Sequence, residues 1–183
     1  MKEMLWRLIA KVISQPMIAN YLIKRAMRTP YFHLDGYMNR YWLFNRYSEI
    51  GSSTVVPRRF KWMPSIRIHH ILRADDARDL HDHPWNARTI ILKGAYIERR
   101  LQSLGVRTDH TGNTVTFAEM QSYVRHWGDT ATINFGEYHS IDAVSEGGVW
   151  TLFIAGDYLG TWGFLVDGKK VPWREYENKV TND

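Results

Sequence analysis

The stretch RDLHDHPWNARTIILKGAY, from Arg78 to Tyr96, decides the fold. Two histidines, His81 and His83, stand one residue apart, and an apolar run follows them and ends at Gly94. In an extended chain, residues two apart project to the same side. Both imidazoles can therefore reach one point, while Asp82 points away from it. The pattern fits either a metal site on a strand or two histidines that pack in a core.

A third histidine follows much later in the chain. The segment NFGEYHSIDAV places His139 shortly after a glycine turn at Gly136. Three imidazoles from two strands suit Zn, Fe, Ni or Cu and leave coordination positions open for water or substrate. We therefore take His81, His83 and His139 as candidate metal ligands.

The region after Pro64 is predicted to be mainly β. Short segments rich in β-branched and aromatic residues alternate with glycine-containing turns, which is typical of an antiparallel sandwich or barrel. A tight turn at Asp167-Gly168 is expected to join two short strands, after which Trp173 and Tyr176 pack on the barrel or on a second subunit. The segments are SIRIHHILR, TIILKGAYIERRL, NTVTFAEM, TATINFGEYHSI, GVWTLFIAG and WGFLVDG.

The N-terminal part is predicted to be helical. Apolar residues recur at helical spacing from Lys2 to Ile13 and again from Pro16 to Met27, and Pro30 stops the second helix. The aromatic segment from Tyr31 to Tyr47 is expected to be helix or loop. We therefore expect residues 1–62 to form a helical and aromatic extension that packs on a barrel domain of residues 63–183.

Charge and composition bound the function. Residues 1–62 carry 11 Lys and Arg against 3 Asp and Glu, whereas the rest of the chain is slightly acidic. This basic part fits a solvated helical surface, or weak attraction to nucleic acid, a membrane surface or an acidic partner. The chain has no cysteine, so disulfides, thiolate ligands and a Cys nucleophile are excluded. No apolar run is long enough to span a membrane and no export signal is visible, so we expect a cytoplasmic protein.

The order of these features resembles the cupin superfamily. In that resemblance His81, His83 and Gly94 form the first motif, and Gly128, the segment Asn134 to Gly136 and His139 form the second. The likeness extends over about residues 65–164. It implies a double-stranded β-helix, or jelly-roll barrel, with a metal in its mouth, preceded here by the N-terminal helices. It also implies a homodimer.

Two departures from the cupin motifs change the expected site. Ala87 stands where the first motif has a glutamate ligand, and Asn134 replaces a proline of the second. The site is then similar in layout to the three-histidine thiol dioxygenases. Those enzymes carry a Ser-His-Tyr relay, but Trp150, Leu152 and Ile154 stand at that spacing here. A thiol substrate is therefore not supported.

The chain also resembles a group of bacterial and phage cupins. These combine LHDHPW with a late WGF and VPWREY, which occur here at residues 80–85, 162–164 and 171–176. This resemblance implies the fold and no particular reaction.

Arginines and aromatic residues near the histidines are candidate substrate-binding residues. Arginine can hold a carboxylate or phosphate through two hydrogen bonds, and aromatic residues can line a pocket for a flat or apolar molecule. Surface exposure for the arginines and core packing for the aromatics are the competing interpretations. The candidates are Arg88, Arg73, Trp85, Tyr96 and Trp150.

Three functions remain open at this point. The first is a metal-dependent enzyme of the dioxygenase type acting on a small molecule, with a divalent transition metal for which Fe is favoured over Zn, Ni or Mn. The second is a non-catalytic barrel that binds a small anionic ligand, and the third is an assembly or membrane-surface partner. The sequence assigns no catalytic residue.

Overall fold

The computed structural model describes residues 1–47, 58–108 and 110–180. The described residues form three helices and ten strands. In chain order the elements are α1 (Lys2–Ile13), α2 (Pro16–Ala26), β1 (Met38–Phe44), β2 (Ser65–Ile71), β3 (Trp85–Lys93), β4 (Ala95–Thr108), β5 (Thr114–His126), β6 (Thr130–Ile133), β7 (His139–Val144), β8 (Val149–Tyr158), β9 (Gly163–Val166), β10 (Lys169–Pro172) and α3 (Trp173–Val180).

The strands form two larger antiparallel sheets and a hairpin. One sheet has the order β1-β2-β8-β3-β6, the second has the order β5-β4-β7, and β9 pairs with β10. Strands that are distant in sequence, such as β2 and β8, are neighbours, as in a jelly roll. The fold is therefore the mainly β, antiparallel barrel that the sequence predicts.

Strand alternation separates an inner and an outer apolar layer. Between the two sheets, Ile71, Ile91 and Val149 of the larger sheet pack with Tyr96 and Ile141 of the smaller one. The neighbouring residues on β2, β3 and β8 point the other way, as successive side chains in a strand must. The larger sheet therefore has one apolar face toward the smaller sheet and a second apolar face on its outer side.

The outer face of the larger sheet is covered by the N-terminal helices. Ala10 of α1 and Ala19 and Ile23 of α2 pack in one cluster with Ile68 and Ile90 of the sheet. A fully buried isoleucine contributes about 1.5–3 kcal/mol of hydrophobic free energy, so this contact fixes both helices on the barrel. Both helices begin and end close to the bounds that the sequence predicts.

Strand β1 lies where the sequence indicates helix or loop. It pairs along its length with β2, from Met38 opposite Ile71 to Phe44 opposite Ile66. The larger sheet therefore begins within the segment that we expected to be an N-terminal extension. Local composition could not show this, because the strand is specified by pairing with a distant segment.

The C-terminal hairpin closes one end of the barrel. Asp167 and Gly168 both have positive φ, as a two-residue hairpin turn requires. After the hairpin, Trp173 stacks on Trp162 and Tyr176 stacks on Phe164. The predicted turn is confirmed, and the two aromatic residues pack within this chain.

Candidate metal centre

Backbone pairing brings His81 and His139 opposite each other. The His81 N–H donates to the His139 carbonyl oxygen at 3.0 Å, and the His139 N–H donates to the His81 carbonyl oxygen at 2.9 Å. Residues that exchange both bonds project their side chains from the same face. His83, two residues further along the extended segment before β3, projects from that face too.

The three imidazoles converge on one point. One ring nitrogen from each of His81, His83 and His139 lies within 4.8 Å of the other two. The Nε2 atoms of His83 and His139 are 2.9 Å apart. Two nitrogens bound at about 2.1 Å to one metal ion, at an angle of about 90–109°, lie roughly 3.0–3.4 Å apart. The His83–His139 spacing is close to what a shared metal ion requires, and the group as a whole, within 4.8 Å, needs a small inward shift of its rings to bind one ion.

Glu98 on β4 orients the His139 ring. Its Oε1 lies 3.0 Å from Nδ1 of His139. A carboxylate can only accept, so Nδ1 carries the proton and the Nε2 lone pair is left toward the other histidines. Arg100 and Arg125 hold the same carboxylate at 2.8 and 3.1 Å. Burial alone would raise the pKa of Glu98, but hydrogen bonds from His139 and Arg100 lower it to about 2.

Asp75 lies behind the His81 ring in the corresponding way. Its Oδ2 is 3.5 Å from Nδ1 of His81. The backbone N–H of Ile141 donates to the same oxygen at 2.8 Å, and the Tyr37 hydroxyl donates to Oδ1. Carboxylates that contact the outer nitrogen of metal-binding histidines are the usual arrangement in metal sites, because they fix the ring orientation and raise its basicity.

Burial keeps the His81 and His83 imidazoles neutral at ordinary pH. Desolvation, followed by repulsion from His139, lowers the pKa of His81 to about 4 despite the opposing effect of Asp75. Burial and the two other histidines also lower the pKa of His83 well below its usual value. A neutral imidazole is the form that binds a metal, so the donor set suits a divalent transition metal.

A cavity of about 390 Å³ adjoins His139. This volume is enough for a small molecule. Burial raises the pKa of Tyr138 in its wall to about 12, with a further contribution from Asp82, so this hydroxyl stays protonated. The wall is polar and partly aromatic, and it consists of Arg100, Leu101, Gln102, Tyr123, Ile133, Glu137, Tyr138 and His139.

Two of the suggested substrate-binding residues lie inside the barrel. The Trp85 ring centroid is 6.2 Å from that of His83, so this side chain flanks the histidines. Tyr96 is buried in the inner apolar cluster with Ile91 and Val149. Its ring forms core beneath Glu98, two residues further along the same strand.

The other three candidates lie away from the histidine group. Arg88 projects to the outer face of β3, where it pairs with Glu3 and its guanidinium lies 4.8 Å from the Trp6 ring centroid. Trp150 is on the same outer face and stacks on His70. Arg73 lies in the loop after β2 and pairs with Asp76. Arg88 lies on the same face of β3 as Ile90, which packs against the helices, so strand alternation directs it outward.

Sequence reasoning missed both carboxylates of the site. Glu98 shares one face of β4 with Tyr96 and Arg100, and a carboxylate beside an aromatic residue on the inward face was a usable signal. Asp75 is in a loop and only the fold brings it to His81. Asp82, which the sequence predicts to point away from the histidines, is fully buried and accepts a hydrogen bond from the backbone N–H of Gly163.

Comparison with solved structures places the fold. Vicilin from hazelnut (Corylus avellana) superposes with a TM-score of 0.51 at 10% identity, over 84% of this chain and 38% of that one. Oxalate decarboxylase from Bacillus subtilis gives 0.46 at 13% identity, over 86% and 35%. CapF, a capsular polysaccharide assembling protein from Staphylococcus aureus, gives 0.45 at 10% identity, over 70% and 28%.

The similarity to vicilin shows a fold and no activity, because the identity is only 10%. The chain spans about a third of the length of the three proteins. No family model matches the sequence, and no curated protein matches it. With the sheet topology described above, the chain therefore has the jelly-roll barrel of the cupin fold, with three histidines grouped closely enough to hold a metal ion.

Proposed function

We propose that His81, His83 and His139 bind one divalent transition metal, with iron favoured, and that the protein is an oxygenase-type enzyme for a small molecule. The observation that carries the proposal is the convergence of three imidazoles, two of which contact a buried carboxylate through their outer nitrogen. Nothing in a packed core requires this arrangement, whereas a metal site does.

The donor set explains the preference among metals. Three imidazole nitrogen ligands suit iron, zinc, nickel or manganese, and they leave coordination positions for other groups. A metal ion held there would supply positive charge that orients and polarises an oxygen-containing ligand. Iron in such an open nitrogen site is also suited to reaction with dioxygen, and this is why we favour it.

The cavity beside His139 is the proposed substrate site. Arg100 can direct positive charge toward an anionic group, although it is already shared between Glu98 and Glu137. The protonated Tyr138 hydroxyl can donate a hydrogen bond. Trp85 stacks beside His83, with ring centroids 6.2 Å apart, and would shield this ligand from water. These groups bind and orient a small polar molecule next to the third histidine.

A barrel that binds a small anionic ligand without catalysis is the second candidate. The presence of Arg100 in the cavity wall favours it. The sequence also suggested Arg88 and Arg73 for this role, but Arg88 pairs with Glu3 and Arg73 pairs with Asp76. An anion retained by metal-free protein would support this function over the enzyme.

Metal analysis of protein purified without chelators tests the first proposal. We expect close to one equivalent of metal in the wild type and almost none in His83→Ala. His70→Ala is the matched control, because His70 stacks on Trp150 on the outer face. No metal uptake by the wild type on titration with iron, zinc, nickel or manganese would contradict the proposal.

The oxygenase part needs its own measurement. Nitric oxide binds to ferrous sites at the position that dioxygen would take, so iron-loaded protein should give the electron paramagnetic resonance signal of an iron–nitrosyl complex. If iron binds with full affinity but no such signal is seen, the metal site is supported and the oxygenase assignment is contradicted. The same preparation, examined by sedimentation, tests the homodimer that the cupin resemblance implies.

A further inference from the structure

We propose that the outer surface of the N-terminal helix pair docks on an anionic membrane surface. This inference is independent of the metal centre and concerns the opposite side of the larger sheet. It explains why both faces of α1 are apolar, although only one of them packs on the barrel.

The inner face of α1 is accounted for by the fold. Trp6, Ile9, Ala10 and Ile13 belong to the cluster that covers the larger sheet. Glu3, in the first turn of α1, pairs with Arg88 of β3. These contacts fix the rotation of the helix about its axis, so the direction of the remaining residues follows from helical geometry.

The outer face of α1 carries an apolar stripe. Met4, Leu5, Leu8 and Val12 recur at spacings of three and four, so they lie on one side of the helix, opposite Ala10. Leu8 is 60% exposed and Met4 is 72% exposed. The surface continues onto α2 with Met17 and Tyr21, which are also exposed. We call these six residues the apolar stripe.

Basic residues border the apolar stripe. Helical spacing places Arg7 and Lys11 along one edge of it, and Lys24 follows Tyr21 on α2. Lys2 is exposed in the first turn of α1, in line with Ile9. Within the described parts of the chain, none of these four residues forms an ion pair with a distance of 4.0 Å or less. An apolar face with lysine and arginine at its margins is the pattern of a helix that lies in a membrane interface, where the long basic side chains reach the headgroups.

Charge decides between the possible occupants of this face. Residues 1–28 contain six Lys and Arg and one acidic residue, Glu3, which Arg88 already pairs. A second copy of the chain would place these basic rows against each other, which is unfavourable. A nucleic acid would use the charges but leave the apolar stripe in water. An anionic lipid surface satisfies both features at once.

Such docking does not involve crossing the bilayer. Among the residues that the structure describes, no helix is long and apolar enough to span a membrane. The helices would instead lie in the plane of the interface, with the barrel above it and only the apolar stripe inserted.

Vesicle co-sedimentation of the full chain tests the proposal. We expect binding to phosphatidylcholine vesicles that contain phosphatidylglycerol, weak binding to phosphatidylcholine alone, and loss of binding as salt is raised. Leu8→Glu should lower partitioning at least tenfold. Arg7→Gln with Lys11→Gln should lower it about fivefold for each charge removed.

Val106→Glu is the matched control. Val106 is an apolar residue of β4 that is 67% exposed, and it does not belong to α1 or α2. This variant should bind like the wild type, and circular dichroism should show that every variant folds. Equal binding to both vesicle types, no binding to the anionic vesicles, or equal loss in the control variant would each overturn the proposal. Sedimentation without lipid distinguishes the alternative: self-association lost in Leu8→Glu, without vesicle binding, would make this face an interface between copies.

Discussion

His81 and His139 are joined by a reciprocal pair of backbone hydrogen bonds, of 3.0 and 2.9 Å, although they are far apart in sequence. This pairing links the segment before β3 to the start of β7 and places both imidazoles on one face of the ladder. The geometry of the candidate metal centre is therefore set by the backbone. It should persist when the metal is removed.

Glu98→Gln is expected to lower metal affinity by about 10-fold to 100-fold. The amide keeps the shape of the side chain but removes the charge that orients His139 and raises its basicity. Competition with a chromophoric chelator measures the Kd. Glu119→Gln is the control, because Glu119 is exposed and accepts a hydrogen bond from the Ser103 hydroxyl at 2.7 Å. Equal Kd values for wild type and Glu98→Gln would contradict the role assigned to Glu98.

Asp82→Asn is expected to lower the free energy of unfolding by roughly 2–3 kcal/mol, because a buried carboxylate between two donors is replaced by a neutral amide. Asp82 accepts from the Gly163 N–H at 2.8 Å and from the Lys170 ammonium, and thereby ties the C-terminal hairpin to the histidine segment. Urea unfolding provides the measurement. Asp76→Asn, which removes an exposed pair with Arg73, should change stability by less than about 1 kcal/mol. Equal effects of the two substitutions would show that burial of Asp82 contributes nothing.

Gly94→Ala is expected to cost roughly 2–4 kcal/mol of unfolding free energy. Gly94 has a φ of +82°, and a Cβ there would lie 2.6 Å from the Gly148 carbonyl oxygen. Gly112→Ala is the matched control, because Gly112 has a φ of +85° and no atom within 4 Å of the added Cβ. The control should lose only the backbone contribution, about 1 kcal/mol. If both substitutions lowered the free energy of unfolding equally, the close approach of the β3–β4 and β7–β8 turns would not contribute to the cost of Gly94→Ala.

Metal-free protein is expected to lose stability as the pH falls from about 6.5 towards 4. Burial lowers the pKa of His81 to about 4, and burial with repulsion from Arg67 lowers the pKa of His69 as well. The unfolded chain therefore binds more protons than the folded chain in this window, and unfolding is favoured as the pH falls. Glu98 has a pKa of about 2 in the folded protein, so its protonation should reduce the free energy of unfolding further only below about pH 4.5.

Urea unfolding of the metal-free protein at several pH values measures this dependence. His69→Phe should make the slope between pH 6.5 and 4 shallower, since it removes one of the buried imidazoles. A free energy of unfolding that stays constant across this window would contradict the assignment of neutral, buried histidines.

The sequence contained enough information for the helices, most strands and the three histidines. Helical spacing in residues 2–27 and two-residue alternation after Pro64 are local patterns, and the structure has elements close to those bounds. His81 and His83 could be grouped because an extended chain puts them on one side. His139 could be added because it follows a turn and begins another strand.

The remaining features depend on contacts between distant residues. β1 is a strand because β2 pairs with it, and Asp75 reaches His81 only because the loop after β2 folds over β7. Arg88 and Trp150 face the helices because alternation on β3 and β8 turns them outward. Neither direction can be read without knowing which face is the interior.

The position of a bound metal in a crystal of the protein tests the central claim most directly. Anomalous scattering, collected at the absorption edge of the metal found by elemental analysis, should show one strong peak about 2.1 Å from a ring nitrogen of each of His81, His83 and His139. No peak at that point in metal-loaded crystals, or rings turned away from one another, would contradict the account.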